Sequence, residues 1–232
     1  LDTKSHGLAE AADIIGTSIL VQSPNGERTF RFQHGPLFAN IVLADEINRA
    51  SPKTQSALLE AMQERHVTAG GQTYELPKPF FVLATQNPIE QEGTYRLPEA
   101  QLDRFMFKVV IDYPNLVDEC EIIRREHEAL NGDKTVDVQI VVQKADIDNV
   151  KSIVRSVLVE QNIIEYIARI VQETREHPFL YLGASPRASL AILNASKGFA
   201  ALHGRDFVTP DDVKDSALAV LQHRIIVAPE KE

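Results

Sequence analysis

The sequence predicts a mixed α/β domain followed by a domain built only from helices. Two continuous apolar runs, residues 39–44 and 80–85, are typical of strands buried on both faces of a parallel sheet. From Leu116 onward, apolar residues recur at helical spacing in five successive segments. The predicted domains are therefore an α/β core over residues 1–114, a linker containing a helix over 115–145, and a helical domain over 146–232.

The elements of the first domain follow from local signals. Turn residues at Asn25-Gly26 separate two β-type runs, residues 14–21 and 29–32, and so predict a hairpin. Gly70-Gly71 predicts a second hairpin in the same way.

A helix is predicted between these hairpins. Ser51 is a suitable N-cap, Pro52 suits the first helical position, and the pattern continues to about Arg65. A short helix over residues 98–105 and a third strand over 108–111 complete the domain. The later helices are predicted at residues 116–130, 144–158, 163–176, 185–202 and 210–223.

Composition excludes several classes of protein. Hydrophobic residues make up 44% of the 232 residues and charged residues 25%, as in ordinary globular proteins. The net charge of −9, without a basic block, argues against nucleic acid as a partner. No apolar stretch is long enough for membrane insertion. Cys120 is the only cysteine, which excludes an intrachain disulfide and fits a reducing cytoplasm.

Two acids follow the first apolar run. Asp45 and Glu46 would lie at the carboxyl edge of a parallel sheet, where open α/β folds bind ligands. One carboxylate there can hold Mg²⁺, and its neighbour can orient a water molecule beside a phosphate. The alternative is that both acids are simply solvated.

Three further polar residues are candidates for the same chemistry. Asn87 follows the second run, where an amide can reach a phosphate or a water molecule, although Asn87-Pro88 also favours a plain turn. Arg104 can project from a short helix towards a neighbouring subunit, or pair locally with Asp103. Arg187 lies at a predicted helix start, where a cation is unfavourable, and this weakly indicates an anionic partner.

These features, in this order, resemble the MoxR family of AAA+ ATPases. The stretch 35–64 is very similar to that family's Walker B region, and the stretch 80–95 to the region around its sensor 1. The resemblance covers about residues 13–227 and is strongest over 35–113. It implies a three-layer parallel-sheet core, incomplete at its N-terminus, followed by an all-α lid.

The resemblance also implies a role for each candidate. Asp45 would bind Mg²⁺, Glu46 would activate water and Asn87 would be sensor 1. Arg104 would be the finger that enters a neighbour's site, and Arg187 would be sensor 2. The implied cofactors are ATP and Mg²⁺. The implied assembly is a hexameric ring that remodels partner proteins during the maturation of complexes or cofactors. These partners often contain a von Willebrand A domain. The two hairpins are candidates for partner contacts, or simply edge the sheet.

One motif of such ATPases does not occur in this sequence. Gly-x-x-x-x-Gly-Lys-[Ser/Thr] is absent, and Gly132-Asp133-Lys134-Thr135 lacks its glycines and its preceding strand. Either the chain is a fragment, which we favour, or a variant lost nucleotide binding. The chain alone is expected to be inactive and to expose an apolar face of its sheet.

Two other functions remain open at this point. A nucleotide-free scaffold could use the same fold, and micromolar binding of ATP with Mg²⁺ would exclude it. A nucleic-acid motor of the same superfamily is the second alternative. It lacks support because neither hairpin turn carries a lysine.

Overall fold

The computed structural model describes residues 11–22, 25–26, 28–87, 94–129 and 139–229. The chain divides into two compact units, Leu1–Phe105 and Met106–Glu232. The sequence predicted that the first domain continues to residue 114. The assignment of residues 106–145 to core and linker stays a prediction. Within the described residues, no helix is long and apolar enough to cross a membrane.

The first unit alternates short strands with helices. In chain order its elements are α1 (Ala11–Ile15), β1 (Gly16–Gln22), β2 (Arg28–His34), β3 (Ile41–Ala44), α2 (Pro52–Glu64), β4 (His66–Ala69), β5 (Gln72–Glu75), β6 (Phe81–Ala84) and α3 (Glu99–Leu102). A single 3-10 turn, Ile47–Arg49, links β3 to α2.

The two predicted apolar runs form a parallel pair. Strand β3 runs beside β6, with Ile41 opposite Phe81 and Ala44 opposite Ala84. The prediction that both faces are buried is wrong, whereas the expectation that the sheet exposes an apolar face is confirmed. Val42 and Val82 pack against the core that contains Leu58 of α2. The opposite face carries apolar side chains that remain open to solvent: Ile41 (66% exposed), Leu43 (62%), Phe81 (56%) and Leu83 (48%).

Helix α2 begins and ends as its residues predict. The Ser51 hydroxyl accepts a hydrogen bond from the Thr54 N–H at 3.2 Å, and Pro52 occupies the first turn. Arg65 ends the helix in a left-handed conformation (φ 61°), with its N–H bonded to the Ala61 carbonyl. Its buried face, which includes Leu58 and Leu59, covers the inner side of the parallel pair.

Both predicted hairpins are confirmed. Strands β1 and β2 pair antiparallel over their whole length, although part of the turn between them lies outside the described residues. Strands β4 and β5 are joined by Gly70 (φ 58°) and Gly71 (φ 78°), and successive positive φ angles are what such a two-residue turn requires. Phe32 of β2 stacks on Tyr74 of β5 at 4.3 Å, so the hairpins are in contact.

The second unit is mainly helical, and it also contains one short antiparallel strand pair that the sequence did not predict. Its elements are α4 (Leu116–Ala129), α5 (Lys144–Ser156), α6 (Gln161–Glu176), β7 (Leu180–Leu182), α7 (Pro186–Leu202), α8 (Pro210–Leu221) and β8 (Ile226–Val227). The five predicted helices are thus confirmed to within a few residues at each end. Apolar residues of α6, α7 and α8, among them Ile167, Ile192 and Val213, form one core.

The predicted third strand is wrong. Residues 108–111 adopt no regular structure; the Lys108 N–H donates to the Ala219 carbonyl of α8 instead of to a neighbouring strand. Val109 and Ile111 are 76% and 90% exposed. A β-branched run predicts a strand only where a partner strand is available, and none pairs with it among the described residues.

Candidate functional site

The carboxyl ends of β3 and β6 bring two polar side chains into contact. The parallel register ends with Ala44 opposite Ala84, and the Thr85 N–H donates to the Ala44 carbonyl at 3.0 Å, which brings Thr85 next to Asp45. The Thr85 hydroxyl donates to Asp45 Oδ1 at 2.5 Å and accepts the Glu46 backbone N–H at 2.9 Å. The Thr85 carbonyl also accepts the Ile47 N–H at 3.0 Å. One threonine therefore holds the backbone and the first carboxylate of the acid pair.

Glu46 has an unusual backbone conformation. Its φ of 49° and ψ of 51° lie in the left-handed region, which non-glycine residues seldom adopt without a compensating interaction. The hydrogen bond from its N–H to Thr85 supplies one such interaction. Its carboxylate forms an ion pair with Arg49 at 3.1 Å, and the Glu46 side chain stays 38% exposed. The turn thus presents the second carboxylate at the edge of the sheet.

The segment after β6 is connected to this turn through Asn48. The Asn48 side-chain amide approaches the Asn87 carbonyl at 3.5 Å, and the Asn48 carbonyl accepts the Tyr95 N–H at 2.6 Å. Asn48 is 8% exposed, and its Oδ1 has no hydrogen-bond partner in the described part of the chain. Asp45, Glu46 and Asn87 therefore belong to adjoining segments at one rim of the parallel pair, and their roles stay predictions. Residues 88–93 lie outside the described residues.

The two predicted arginines lie on other elements of the chain. Arg104 follows α3, is exposed, and lines an open groove of about 280 Å³ together with Glu60, Gln63 and Glu64 of α2. Arg187 belongs to the second unit, in the first turn of α7, where its N–H donates to the N-cap Ser185 at 3.1 Å. The helix start predicted at this position is confirmed, whereas the roles of both arginines stay predictions.

Sequence reasoning missed three residues that organise this rim. The sequence indicated Asn87 and not Thr85 as a site residue, although an alignment of the two apolar runs places Thr85 beside Asp45. Asn48 and Gln55 were not singled out. Gln55 gave a signal, because it shares a helix face with the apolar Leu58 and Leu59, and a polar residue on a buried face requires partners.

The side chains at this rim suit the binding of a metal ion and the activation of a water molecule. Asp45 and the Thr85 hydroxyl offer oxygen atoms at one point, and oxygen is the ligand that Mg²⁺ prefers. Glu46 adds a second carboxylate within reach of solvent, as a base that orients water requires. The residues present therefore fit a hydrated magnesium ion and an attacking water molecule.

Known families match both units of the chain. Residues 9–107 match the model of the ATPase family associated with various cellular activities (AAA). Residues 172–232 match the AAA lid domain.

Individual relatives extend this likeness over most of the chain. An uncharacterised protein of Bacillus subtilis, YeaC, is 47% identical and aligns over 94% of this chain and 67% of its own length. The chaperone MoxR1 of Mycobacterium tuberculosis is 44% identical, over 93% of this chain and 57% of its own. The chain thus spans between half and 70% of the length of the curated relatives it matches.

The fold itself has a solved counterpart. The crystal structure of a predicted ATPase from Cytophaga hutchinsonii superposes with a TM-score of 0.84 at 41% identity, covering 96% of this chain and 68% of that one. Sequence and fold agree: this chain belongs to the AAA+ ATPases, in the MoxR-type branch, and pairs an α/β core with a helical lid.

Proposed function

We propose that the complete protein is a Mg²⁺-dependent ATPase that hydrolyses ATP at the subunit interfaces of a hexameric ring. The observation that carries this proposal is the contact of Asp45 with Thr85 at 2.5 Å, which joins the acid pair to the strand that leads to Asn87. Two carboxylates and an amide at one rim of a parallel sheet are the parts that phosphoryl transfer to water requires.

Each residue has one task in this proposal. Asp45, fixed by the Thr85 hydroxyl, holds the hydrated metal ion. Glu46 accepts a proton from the attacking water, and its exposure leaves room for that water. Asn87 orients the same water or the terminal phosphate through its amide. Bound Mg²⁺ would supply positive charge that neutralises the phosphate oxygens.

The two arginines would act through the assembly. Arg104 is exposed at the end of α3, and we propose that its guanidinium reaches the terminal phosphate bound by a neighbouring subunit. Arg187, exposed at the start of α7, would contact the nucleotide from the lid. Both side chains suit the stabilisation of negative charge in the transition state, because a guanidinium can bind two phosphate oxygens at once.

The purpose of hydrolysis would be the remodelling of partner proteins. A relative that is 44% identical is named a chaperone, and this supports a chaperone-like role here. We propose partners that include proteins with a von Willebrand A domain, and outcomes such as maturation of complexes or cofactors. The hairpins β1–β2 and β4–β5, which contact each other through Phe32 and Tyr74, are the proposed contact elements.

Substitution of one carboxylate tests the chemistry. Glu46→Gln in the complete protein removes the base and keeps the shape, so turnover should fall about 100- to 10,000-fold while ATP still binds. The matched control is Glu75→Gln, an exposed carboxylate on β5. Unchanged turnover in Glu46→Gln would remove Glu46 from this role, and failure of the unsubstituted protein to bind ATP with Mg²⁺ would favour a nucleotide-free scaffold.

A further inference from the structure

Gln55 connects the turn that follows the acid pair to the backbone of Tyr95. It lies in the first turns of α2 and is 3% exposed. Its Nε2 donates to the Ile47 carbonyl at 3.0 Å and to the Tyr95 carbonyl at 2.9 Å. Ile47 directly follows the acid pair, and Tyr95 lies about 50 positions further along the chain. Both hydrogens of one buried amide are therefore used to join these two segments.

Two further hydrogen bonds involve Asn48, which lies next to Ile47. The Tyr95 N–H donates to the Asn48 carbonyl, so both polar backbone atoms of Tyr95 are fixed from the side of the acid pair. The Asn48 amide is 3.5 Å from the Asn87 carbonyl, which is a weak contact. Gln55 makes two bonds of ordinary length to these segments, and its bond to the Ile47 carbonyl is buried.

Few side chains could replace this amide. Two carbonyl oxygens face one nitrogen, so the site requires two N–H donors without a positive charge. A methionine has the length of glutamine and no donor. An ionised glutamate would place negative charge against two acceptors. An asparagine is one methylene shorter.

We propose that Gln55 is a positioning residue for ATP hydrolysis, which holds the turn that carries Glu46 in place against the Tyr95 backbone. This inference rests on the proposed function. Gln55 acts through Glu46 and touches no reacting atom. A displacement of about 1 Å of a catalytic group can lower a rate about 100-fold.

The test uses three variants of the complete protein. Gln55→Met removes both donors and keeps the volume, Gln55→Glu keeps one donor only when protonated, and Gln172→Met is the control. Gln172 is an exposed glutamine of helix α6, and its amide donates to Glu176 of the same helix at 2.9 Å. The readouts are kcat and KM for MgATP, with the folded fraction of each variant followed by circular dichroism.

We expect Gln55→Met to lower kcat about 10- to 100-fold with a KM for ATP within about threefold of the unsubstituted value. Gln55→Glu should regain activity, relative to the unsubstituted protein, as the pH falls from about 8 to about 6, because burial favours the protonated carboxyl that donates. Measured over the pH range in which circular dichroism shows Gln55→Glu to be folded, that pH dependence distinguishes positioning from a loss of folding, and it also serves if Gln55→Met does not fold.

Different results overturn different claims. If Gln55→Met and Gln172→Met have equal kcat while Glu46→Gln stops turnover, the inference on Gln55 is wrong and the proposed function stands. A loss in Gln55→Glu that does not vary with pH also overturns the inference. If the unsubstituted complete protein does not hydrolyse ATP, the proposed function fails, and the role of Gln55 in hydrolysis fails with it.

Discussion

Thr85 holds Asp45 by a 2.5 Å hydrogen bond from its hydroxyl, across two parallel strands whose sequences lie 40 positions apart. The same oxygen accepts the N–H of Glu46, a residue in the left-handed conformation. A single hydroxyl therefore orients one carboxylate and stabilises the backbone that carries the next. This relationship gives a prediction that does not depend on Gln55.

Thr85→Val keeps the shape of the side chain and removes its hydroxyl. Asp45 loses its donor and the Glu46 N–H loses its acceptor, so we expect ATP hydrolysis by the complete protein to fall about tenfold or more. Thr85→Ser keeps the hydroxyl and should retain most of the activity. Thr68→Val, at an exposed position on β4, serves as control. Equal rates in Thr85→Val and Thr68→Val would show that the hydroxyl has no part in hydrolysis.

A buried ion pair stabilises the helical unit. Asp212 of α8 is fully buried and accepts two hydrogen bonds from Arg205, each 2.6 Å long, while Thr209 donates to it from its backbone and its hydroxyl. Asp212→Asn should lower the free energy of unfolding by about 2 kcal/mol, since a buried charged acceptor is lost. Asp211→Asn, next to it but exposed, should have a much smaller effect in the same thermal or denaturant titration.

The same pair predicts how stability depends on pH. The hydrogen bonds from Arg205 lower the pKa of Asp212 well below its ordinary value. A carboxyl with a lowered folded-state pKa contributes stability above its unfolded-state pKa and loses it as the pH falls towards the folded-state value. We therefore expect the unfolding midpoint to decrease below about pH 4, and to decrease less steeply in Asp212→Asn. Parallel slopes in the two proteins would contradict this assignment.

Two glycines should respond to alanine in opposite directions. Gly71 has a φ of 78°, and a Cβ there would meet no atom within 4 Å, so Gly71→Ala suffers only backbone strain, about 1 kcal/mol of destabilisation. Gly198 lies inside α7 with the same free space, so Gly198→Ala should stabilise by about 0.5–1 kcal/mol. Both changes are measured by chemical denaturation, and the same sign for both would contradict the structure.

The elements that could be predicted are those determined by residues within the element itself. The cap and proline at Ser51-Pro52 locate the start of α2, and Gly70-Gly71 locates a hairpin, because these residues act on their own backbone. Residues 108–111 do not form the predicted strand, because strand pairing depends on a partner strand that is distant in sequence. The exposure of Ile41 likewise depends on what covers the sheet, which its own strand does not specify.

The candidate site shows the same division. Asp45, Glu46 and Asn87 could be singled out because each follows an apolar run. Thr85 and Gln55 were missed because their roles lie in contacts that cross about 40 residues of sequence. A side chain that positions another carries little local signal beyond a polar residue on a buried face.

The 232-residue chain should not hydrolyse ATP by itself. It holds no Gly-x-x-x-x-Gly-Lys-[Ser/Thr] sequence, whose backbone N–H groups cradle the phosphates in ATPases of this type. Phosphate release from this chain with MgATP should equal that of its Glu46→Gln variant, whereas the complete protein should exceed both. Turnover by the short chain that Glu46→Gln abolishes would contradict this expectation.

The proposed action of Arg104 across a subunit interface can be tested by mixing. Arg104→Ala and Glu46→Gln should each abolish hydrolysis in the complete protein, because one removes the finger and the other the base. In rings assembled from equal amounts of both variants, about one interface in four combines an intact Glu46 from one subunit with an intact Arg104 from its neighbour. Mixed rings should therefore recover part of the phosphate release that neither variant shows alone. If Arg104 acted within its own subunit, no interface in the mixture would hold both groups and the mixture would stay inactive.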